Sequence, residues 1–143
     1  VEWNRGPLGP LADHPLKDPR VQLEVGDVAA TLRANPGAFD AVLLDVDNGP
    51  TALTAAANAR LYDNQGVATT RAALKPNGVF AVWSARENRK FEQRLRFCGF
   101  AVEVARVRGR LKGGGPRHAI VLGHVGPGTT PSTGARAAGR MPG

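Results

Sequence analysis

Residues 39–50 read FDAVLLDVDNGP, and this stretch indicates the class of fold. Its apolar run AVLL has no helical period, which is typical of a strand buried on both faces of a parallel sheet. The run ends on Asp45, and a turn-forming sequence follows. Because ligands of open α/β sheets bind outside the carboxyl ends of the strands, we expect Asp45 at a ligand site, with Asp47 and Asn48 nearby. The alternative is that Asp45 only caps the next helix or fixes the turn.

The predicted elements alternate along the chain around this strand. They are a strand at Val21–Val25, a helix at Val28–Arg33, the strand Phe39–Asp45, alanine-rich helices within residues 51–75 that break at Gly66, a turn at Lys75–Gly78, a strand at Val79–Trp83, a helix at Arg86–Cys98, and a hairpin of strands near Phe100–Val107 and His118–Val125. Strands that alternate with helices predict a parallel sheet with helices on its faces. The closing hairpin adds one antiparallel strand.

The composition limits the class of protein. The 143 residues are 42% hydrophobic and 22% charged, which suits one globular, soluble domain. We place this domain at residues 1–125 and expect a disordered tail at 126–143, where large apolar residues are scarce. No apolar stretch approaches the ~20 residues of a membrane helix, and no signal peptide is visible. The single cysteine, Cys98, excludes an internal disulfide, so a cytoplasmic setting fits best.

The formal net charge of +7 is concentrated in the second half of the chain. Residues 86–125 carry ten Lys and Arg against three Asp and Glu. These charges alternate with apolar residues and include few aromatic neighbours. We therefore expect a solvated basic face rather than a nucleic-acid groove. A scaffold that binds an acidic partner remains an alternative function.

The order and spacing of several short motifs resemble the spermidine synthase (polyamine aminopropyltransferase) family. The motifs are Asp18–Val21, Gly26–Asp27, Phe39–Asp45, Gly49–Pro50 and Leu74–Val79, and the resemblance covers about residues 1–125. It implies a class I S-adenosylmethionine-dependent methyltransferase fold. This is a Rossmann-like, three-layer αβα fold, with a mostly parallel sheet and a C-terminal antiparallel hairpin. The family's glycine-rich loop and ribose-binding acidic residue are absent from this sequence. We therefore expect the fold to lack its first two strands, with an N-terminal part missing.

The resemblance also implies roles for individual residues. In the family, the aspartate of the GD motif contacts the adenine of decarboxylated S-adenosylmethionine, and by position this is Asp27, beside Gly26. The aspartate at the end of the next strand binds the amine substrate and acts as its base, and by position this is Asp45. Asp45, Gly49 and Pro50 complete the expected cofactor-binding set. Asp27 has a second interpretation as the N-cap of the following helix.

Two departures from the family affect the expected substrate site. The family motif DSSDP is replaced by DVDNGP, which puts Asn48 in place of the fourth-position carboxylate, although Asp47 lies nearby. In the family the next strand commonly ends with a glutamine that faces the substrate, whereas this chain reads Val82-Trp83-Ser84 there. Trp83 would make the pocket bulkier and more apolar. The alternative is that Trp83 only packs in the core. Both changes weaken the case for a simple diamine. Tyr62, the only tyrosine, either lines the site or packs its helix.

The resemblance predicts an aminopropyl transferase of polyamine biosynthesis. Its co-substrate would be decarboxylated S-adenosylmethionine, its partner a small-molecule amine, and it would need no metal. The alternatives are a methyltransferase that uses S-adenosylmethionine, and an inactive fragment or scaffold. Members of the family often form homodimers, an expectation that rests on the resemblance alone.

Overall fold

The computed structural model describes residues 1–45, 56–108 and 117–127. The elements are α1 (Glu2–Arg5), two 3-10 turns (Gly9–Ala12 and Pro15–Lys17), α2 (Val28–Ala34), β1 (Phe39–Leu44), α3 (Ala56–Tyr62), α4 (Asn64–Ala73), β2 (Leu74–Ser84), α5 (Arg89–Phe97), β3 (Ala101–Arg108) and β4 (Arg117–His124). The predicted tail, from residue 128 onward, lies outside the described residues.

The four described strands form one sheet in the order β1-β2-β4-β3. β1 and β2 are parallel, whereas β4 is antiparallel to both β2 and β3. Three strands therefore run in one direction, and β4 runs in the other. This arrangement confirms the predicted α/β class, with a mostly parallel sheet and a C-terminal hairpin. The second strand of the hairpin lies between β2 and β3, because β4 pairs with both.

The core forms where the helices pack against one face of the sheet. Phe80 and Val82 of β2 are fully buried there. Phe91 and Leu95, both on α5, belong to the same cluster, and the rings of Phe80 and Phe91 meet edge to face at 6.5 Å. Full burial of side chains of this size stabilises the fold by about 1.5–3 kcal/mol each. The residues that alternate with them along β2 face the other side and are only half-buried, as at Trp83.

The strand at residues 39–44 is not buried on both faces, so that prediction is wrong. Val42 and Leu44 lie in the core, whereas Leu43 is 74% exposed and Asp45 is exposed. β1 is an edge strand of the described sheet and pairs only with β2. An unbroken apolar run cannot distinguish a strand covered on both faces from one covered on a single face, because coverage depends on the neighbouring layers.

The predicted strand at Val21–Val25 is also wrong. The segment contains no described strand, and Val25 is 84% exposed. Strict alternation of apolar and polar residues favours a strand only when a neighbouring strand supplies hydrogen bonds to its backbone. Among the described residues, no strand pairs with this segment.

Three predicted boundaries shift for local reasons. The alanine-rich helices break at Asp63 rather than at Gly66, because the Asp63 carboxylate caps α4 by accepting from the Gly66 N–H at 2.8 Å. The predicted turn at Lys75–Gly78 is an irregular part of β2, with Asn77 at a φ of 63°. α5 begins at Arg89 because the Asn88 side chain accepts from the Phe91 N–H at 3.0 Å. By contrast, α2 and the hairpin form where they were predicted.

Candidate functional site

Because β1 and β2 are parallel, their carboxyl ends lie at the same end of the sheet, which we call the carboxyl edge. Asp45 follows β1 at this edge and is exposed to solvent. The register pairs Leu44 with Val82, so Asp45 and Trp83 each come one residue after a paired position on adjacent strands. Adjacent strands lie about 4.8 Å apart. The structure therefore brings together two of the predicted site residues, Asp45 and Trp83.

Tyr62 ends α3 close to this edge. Its side chain is buried, and its ring meets the ring of Phe91 edge to face at 5.7 Å. The hydroxyl oxygen is buried and has no hydrogen-bond partner within the described part of the chain. Burial raises the pKa of Tyr62, and the charge of the Asp45 carboxylate raises it further. The packing interpretation of Tyr62 is therefore confirmed by its ring contact with α5, and its place in the site stays a prediction.

Arg94 of α5 holds the junction that positions Tyr62. One of its terminal nitrogens donates to the Tyr62 carbonyl oxygen, and its Nε donates to Asn64 Oδ1 at 3.1 Å. Arg94 thereby links the end of α3 and the start of α4 to α5. No local pattern in the sequence marks this role, because the alternation along α5 predicts only that its arginines lie on the face away from the core.

Ser84 and Trp83 end β2 on opposite faces of the sheet. Ser84 is fully buried, and its hydroxyl donates to the Arg86 carbonyl oxygen at 2.6 Å, which fixes the start of the following loop. Trp83 packs against His118 of β4, with ring centroids 5.0 Å apart and planes tilted by 33°. Trp83 therefore contacts a histidine that lies 35 positions away in the sequence, and its expected role in a substrate pocket stays a prediction.

Gly26 and Asp27 immediately precede α2 and are distant from Asp45 in the sequence. Asp27 Oδ1 accepts from the Ala29 N–H at 2.8 Å, so its interpretation as an N-cap is confirmed. Gly26 lines a mostly apolar groove of about 250 Å³ between this segment, α2 and β1, with Leu32 among the other lining residues. The described lining of this groove includes neither Asp27 nor Asp45. The structure thus places Gly26 in a groove without bringing the two aspartates into it.

The remaining predicted site residues, Asp47, Asn48, Gly49 and Pro50, lie outside the described residues, and their roles stay predictions. In residues 1–45, 56–108 and 117–127, no group of three or more His, Cys, Asp and Glu side chains is placed to hold a metal ion. Over the same ranges, no helix has the length and apolar character needed to cross a membrane.

Comparisons with known proteins show similarity at the level of structure. No protein-family model matches the sequence, and no curated protein sequence matches it significantly. A spermidine synthase solved in complex with the transition-state analogue AdoDATO is similar over 88% of this chain, with a TM-score of 0.66 and 19% identity. Spermidine synthase from Thermotoga maritima is similar over 88% of the chain, with a TM-score of 0.64 and 16% identity. Precorrin-6Y C5,15-methyltransferase from Geobacter metallireducens is similar over 82% of the chain, with a TM-score of 0.52 and 19% identity.

These similarities establish the fold. The chain has the Rossmann-like architecture that spermidine synthases share with class I methyltransferases, as its motifs predicted. It spans 43% and 41% of the length of the two spermidine synthases and 62% of the precorrin methyltransferase. At 16–19% sequence identity, the similarity shows the arrangement of the strands and helices but not the role of any one residue.

Proposed function

We propose that this chain carries the acceptor-binding part of a transferase that moves an aminopropyl group from decarboxylated S-adenosylmethionine to an amine. The observation that supports this most directly is the exposed Asp45 carboxylate at the carboxyl edge of the sheet, within electrostatic reach of the buried Tyr62 hydroxyl. In an open α/β sheet this edge is where ligands bind. The solved structures with the same architecture include a spermidine synthase holding a transition-state analogue.

The two side chains suit the chemistry of an amine acceptor. An amine is protonated at neutral pH and attacks only after it loses that proton. In the proposed mechanism, the Asp45 carboxylate binds the ammonium group and then accepts its proton, a role worth about 10²–10⁴-fold in rate. The Tyr62 hydroxyl is buried and protonated at neutral pH, and in the proposed mechanism it turns to donate a hydrogen bond to Asp45 when the amine binds. The sulfonium of the bound donor supplies an activated carbon.

The groove beside Gly26 suits one part of the donor. Its volume of about 250 Å³ is smaller than the ~300–1,000 Å³ of pockets that enclose a whole small ligand. Its lining is mostly apolar, as at Leu32 and Phe39, with Glu24 and Thr31 as polar members, which suits a nucleobase with flat apolar faces and polar edges. We therefore assign the groove to the adenine end of the donor and Asp45 to the amine of the acceptor.

The test is product analysis with both donors and a panel of amines, using the gene product that contains this chain. An aminopropylated amine is the expected product. Asp45→Asn should lower its formation by about 10²–10⁴-fold, because the general base is lost. The matched control is Asp40→Asn, since Asp40 is also exposed, lies on β1 and pairs with Lys75 at 2.8 Å. Equal rates for the two variants, or no product with any donor, would refute the proposal.

Methyl transfer from S-adenosylmethionine is the second candidate. The contact between Trp83 and His118 favours it, because it leaves an aromatic surface next to Asp45 where a diamine would need a polar partner. A methylated product would establish this alternative and exclude the first. The small-molecule amine partner, the place in polyamine biosynthesis and the homodimer belong to the first proposal and rest on the resemblance. The cytoplasmic location also belongs to it and rests on the single cysteine.

A further inference from the structure

Besides the groove at Gly26, the structure has a concave surface at the carboxyl edge, where Asp45 lies. It is a cleft of about 310 Å³ whose lining includes Arg86 and Glu87 from the loop after β2, Arg106 near the end of β3, and Arg117 and His118 at the start of β4. We call it the basic cleft. Nothing in the proposed chemistry at Asp45 uses these residues, although residues 86–125 carry most of the positive charge of the chain.

The charges that line the basic cleft are not balanced. Arg106 and Glu87 form an ion pair with two hydrogen bonds, of 2.5 Å from Nε and 3.3 Å from Nη2. Within the described ranges, no carboxylate pairs with Arg86 or Arg117. Two guanidinium groups that share one cleft repel each other, and an anion between them reduces that repulsion. The planar fork of arginine matches the geometry of a carboxylate or a phosphate group.

The backbone of the basic cleft is held by regular structure. The Ser84 hydroxyl fixes the carbonyl of Arg86, and Ser84 itself pairs with Ala119 of β4. His118 packs on Trp83, and its Nδ1 is buried without a hydrogen-bond partner among the described residues. Arg117 therefore extends from the sheet, and Arg86 from a loop whose backbone is hydrogen-bonded to the end of β2. A site on rigid elements orders a ligand at lower entropic cost than a mobile loop would.

The strand order places the basic cleft and Asp45 on one ligand-binding edge. β2 separates β1 from β4, so β4 lies two strand spacings, or about 10 Å, across the sheet from β1. The register puts Asp45 level with Ile120, so the backbone at Arg117, three residues farther along β4, is about 14 Å from that of Asp45. A diamine at this edge would meet a carboxylate at one end and, at the other, two guanidinium groups that pair with no described carboxylate. An amine that carries an acidic group meets a complementary charge at both ends.

We propose that the basic cleft binds a carboxylate or phosphate group of a small ligand through Arg86 and Arg117. We assign that group to the acceptor whose amine lies at Asp45. This assignment to the acceptor rests on the proposed transferase function, whereas anion binding itself does not.

Anion binding is tested by titrating the protein with inorganic phosphate and, separately, with succinate, using NMR chemical shifts at fixed ionic strength. We expect saturable binding of at least one of the two anions, and the stronger of them identifies the acidic group. Arg86→Gln and Arg117→Gln should each weaken it at least tenfold. Arg33→Gln, an exposed arginine on α2, should leave it unchanged. Melting temperatures confirm that the variants are folded.

Several outcomes would overturn the basic cleft as an anion site. They are the absence of saturable binding by either anion, an equal loss in all three variants, or single-stranded RNA binding more tightly than both anions and through the same arginines. The last result would make the cleft part of a nucleic-acid surface.

The assignment to the acceptor is tested by comparing putrescine, γ-aminobutyrate and phosphoethanolamine as acceptors. We expect an acidic amine to be preferred, and Arg117→Gln to raise its KM at least tenfold without raising the KM for putrescine, because the variant also removes a charge that repels a diamine. A preference for putrescine that Arg117→Gln does not alter would refute this assignment while the proposed transferase function stands. If no amine is used at all, the transferase function fails, and the phosphate and succinate titrations still decide whether the cleft binds anions.

Discussion

Tyr62 lies within electrostatic reach of Asp45, although the two residues are separated by a stretch of chain that joins β1 to α3. Burial is the main cause of the raised pKa of Tyr62, and the charge of the Asp45 carboxylate raises that pKa further. The hydroxyl itself has no partner among the described residues. This relationship connects the core, where the Tyr62 ring packs, to the edge of the sheet where the proposed chemistry takes place.

Tyr62→Phe should separate function from stability. The variant keeps the ring that packs against Phe91 and loses only the hydroxyl. Transfer to the acceptor should fall about tenfold, since one neutral hydrogen bond contributes roughly 0.5–1.5 kcal/mol. The free energy of unfolding at pH 7 should change by less than about 1 kcal/mol, because the hydroxyl has no partner to lose among the described residues. Unchanged turnover would remove Tyr62 from the site.

Alkaline pH should destabilise the protein through Tyr62. Its pKa in the folded state is raised above the ordinary value of 10.0, so its contribution to stability is full below pH 10. That contribution is lost as the pH rises from 10 through the raised pKa, because only the unfolded chain then gives up the proton easily. Tyr62→Phe should abolish this part of the loss in urea unfolding measured at successive pH values. Since Tyr62 is the only tyrosine, no other phenol can account for it.

Asp27 should have a measurable capping role. Asp27→Ala removes the acceptor for the Ala29 N–H and should lower the free energy of unfolding by about 0.5–2 kcal/mol. Asp27→Ser keeps a capping oxygen and should retain most of that stability. Titration with methylthioadenosine adds the functional test. If Asp27 also contacts adenine, Asp27→Ser should weaken binding without unfolding the protein, and unaltered affinity would leave Asp27 as a cap alone.

Two glycines should respond differently to alanine. At Gly66 a Cβ would lie 2.1 Å from the Arg60 carbonyl oxygen, at the junction of α3 and α4. Gly66→Ala should therefore destabilise the protein by about 1–3 kcal/mol or more, as overpacking does. At Gly26 the nearest atom to a Cβ is Glu24 Oε1 at 3.9 Å, which is an ordinary contact. Gly26→Ala should unfold like the wild type in urea, and a similar loss in both variants would contradict the packing described for α4.

Truncation of apolar side chains should reveal which face of the sheet is covered. Phe80 is fully buried, so Phe80→Ala should cost about 3–5 kcal/mol. Leu43 is 74% exposed on β1, and Leu43→Ala should cost less than about 0.5 kcal/mol. The measurement is the midpoint and slope of urea unfolding for both variants. A large loss from Leu43→Ala would show that a further layer covers β1 in solution.

The features that the sequence predicted correctly depend on neighbouring residues. α2 starts at a capping aspartate and ends before Pro36 and Gly37, and both signals act within one turn of the helix. The end of β1 next to Asp45 was predicted in the same way, because an apolar run of strand length stops there. The features that the sequence missed depend on residues far apart in the chain. Arg94 bonds to the Tyr62 carbonyl across 32 positions, and no local pattern marks that contact.

The sequence by itself determined which segments favour a strand or a helix, where α2 is capped, and that Asp45 ends a strand, because backbone sterics and capping hydrogen bonds act over a few residues. Only the tertiary structure decided that Val21–Val25 forms no strand, that one side of β1 is exposed, and that Arg86 and Arg117 share the edge with Asp45. Strand pairing, burial and the meeting of charges depend on which distant segments become neighbours, and that is settled only when the chain packs.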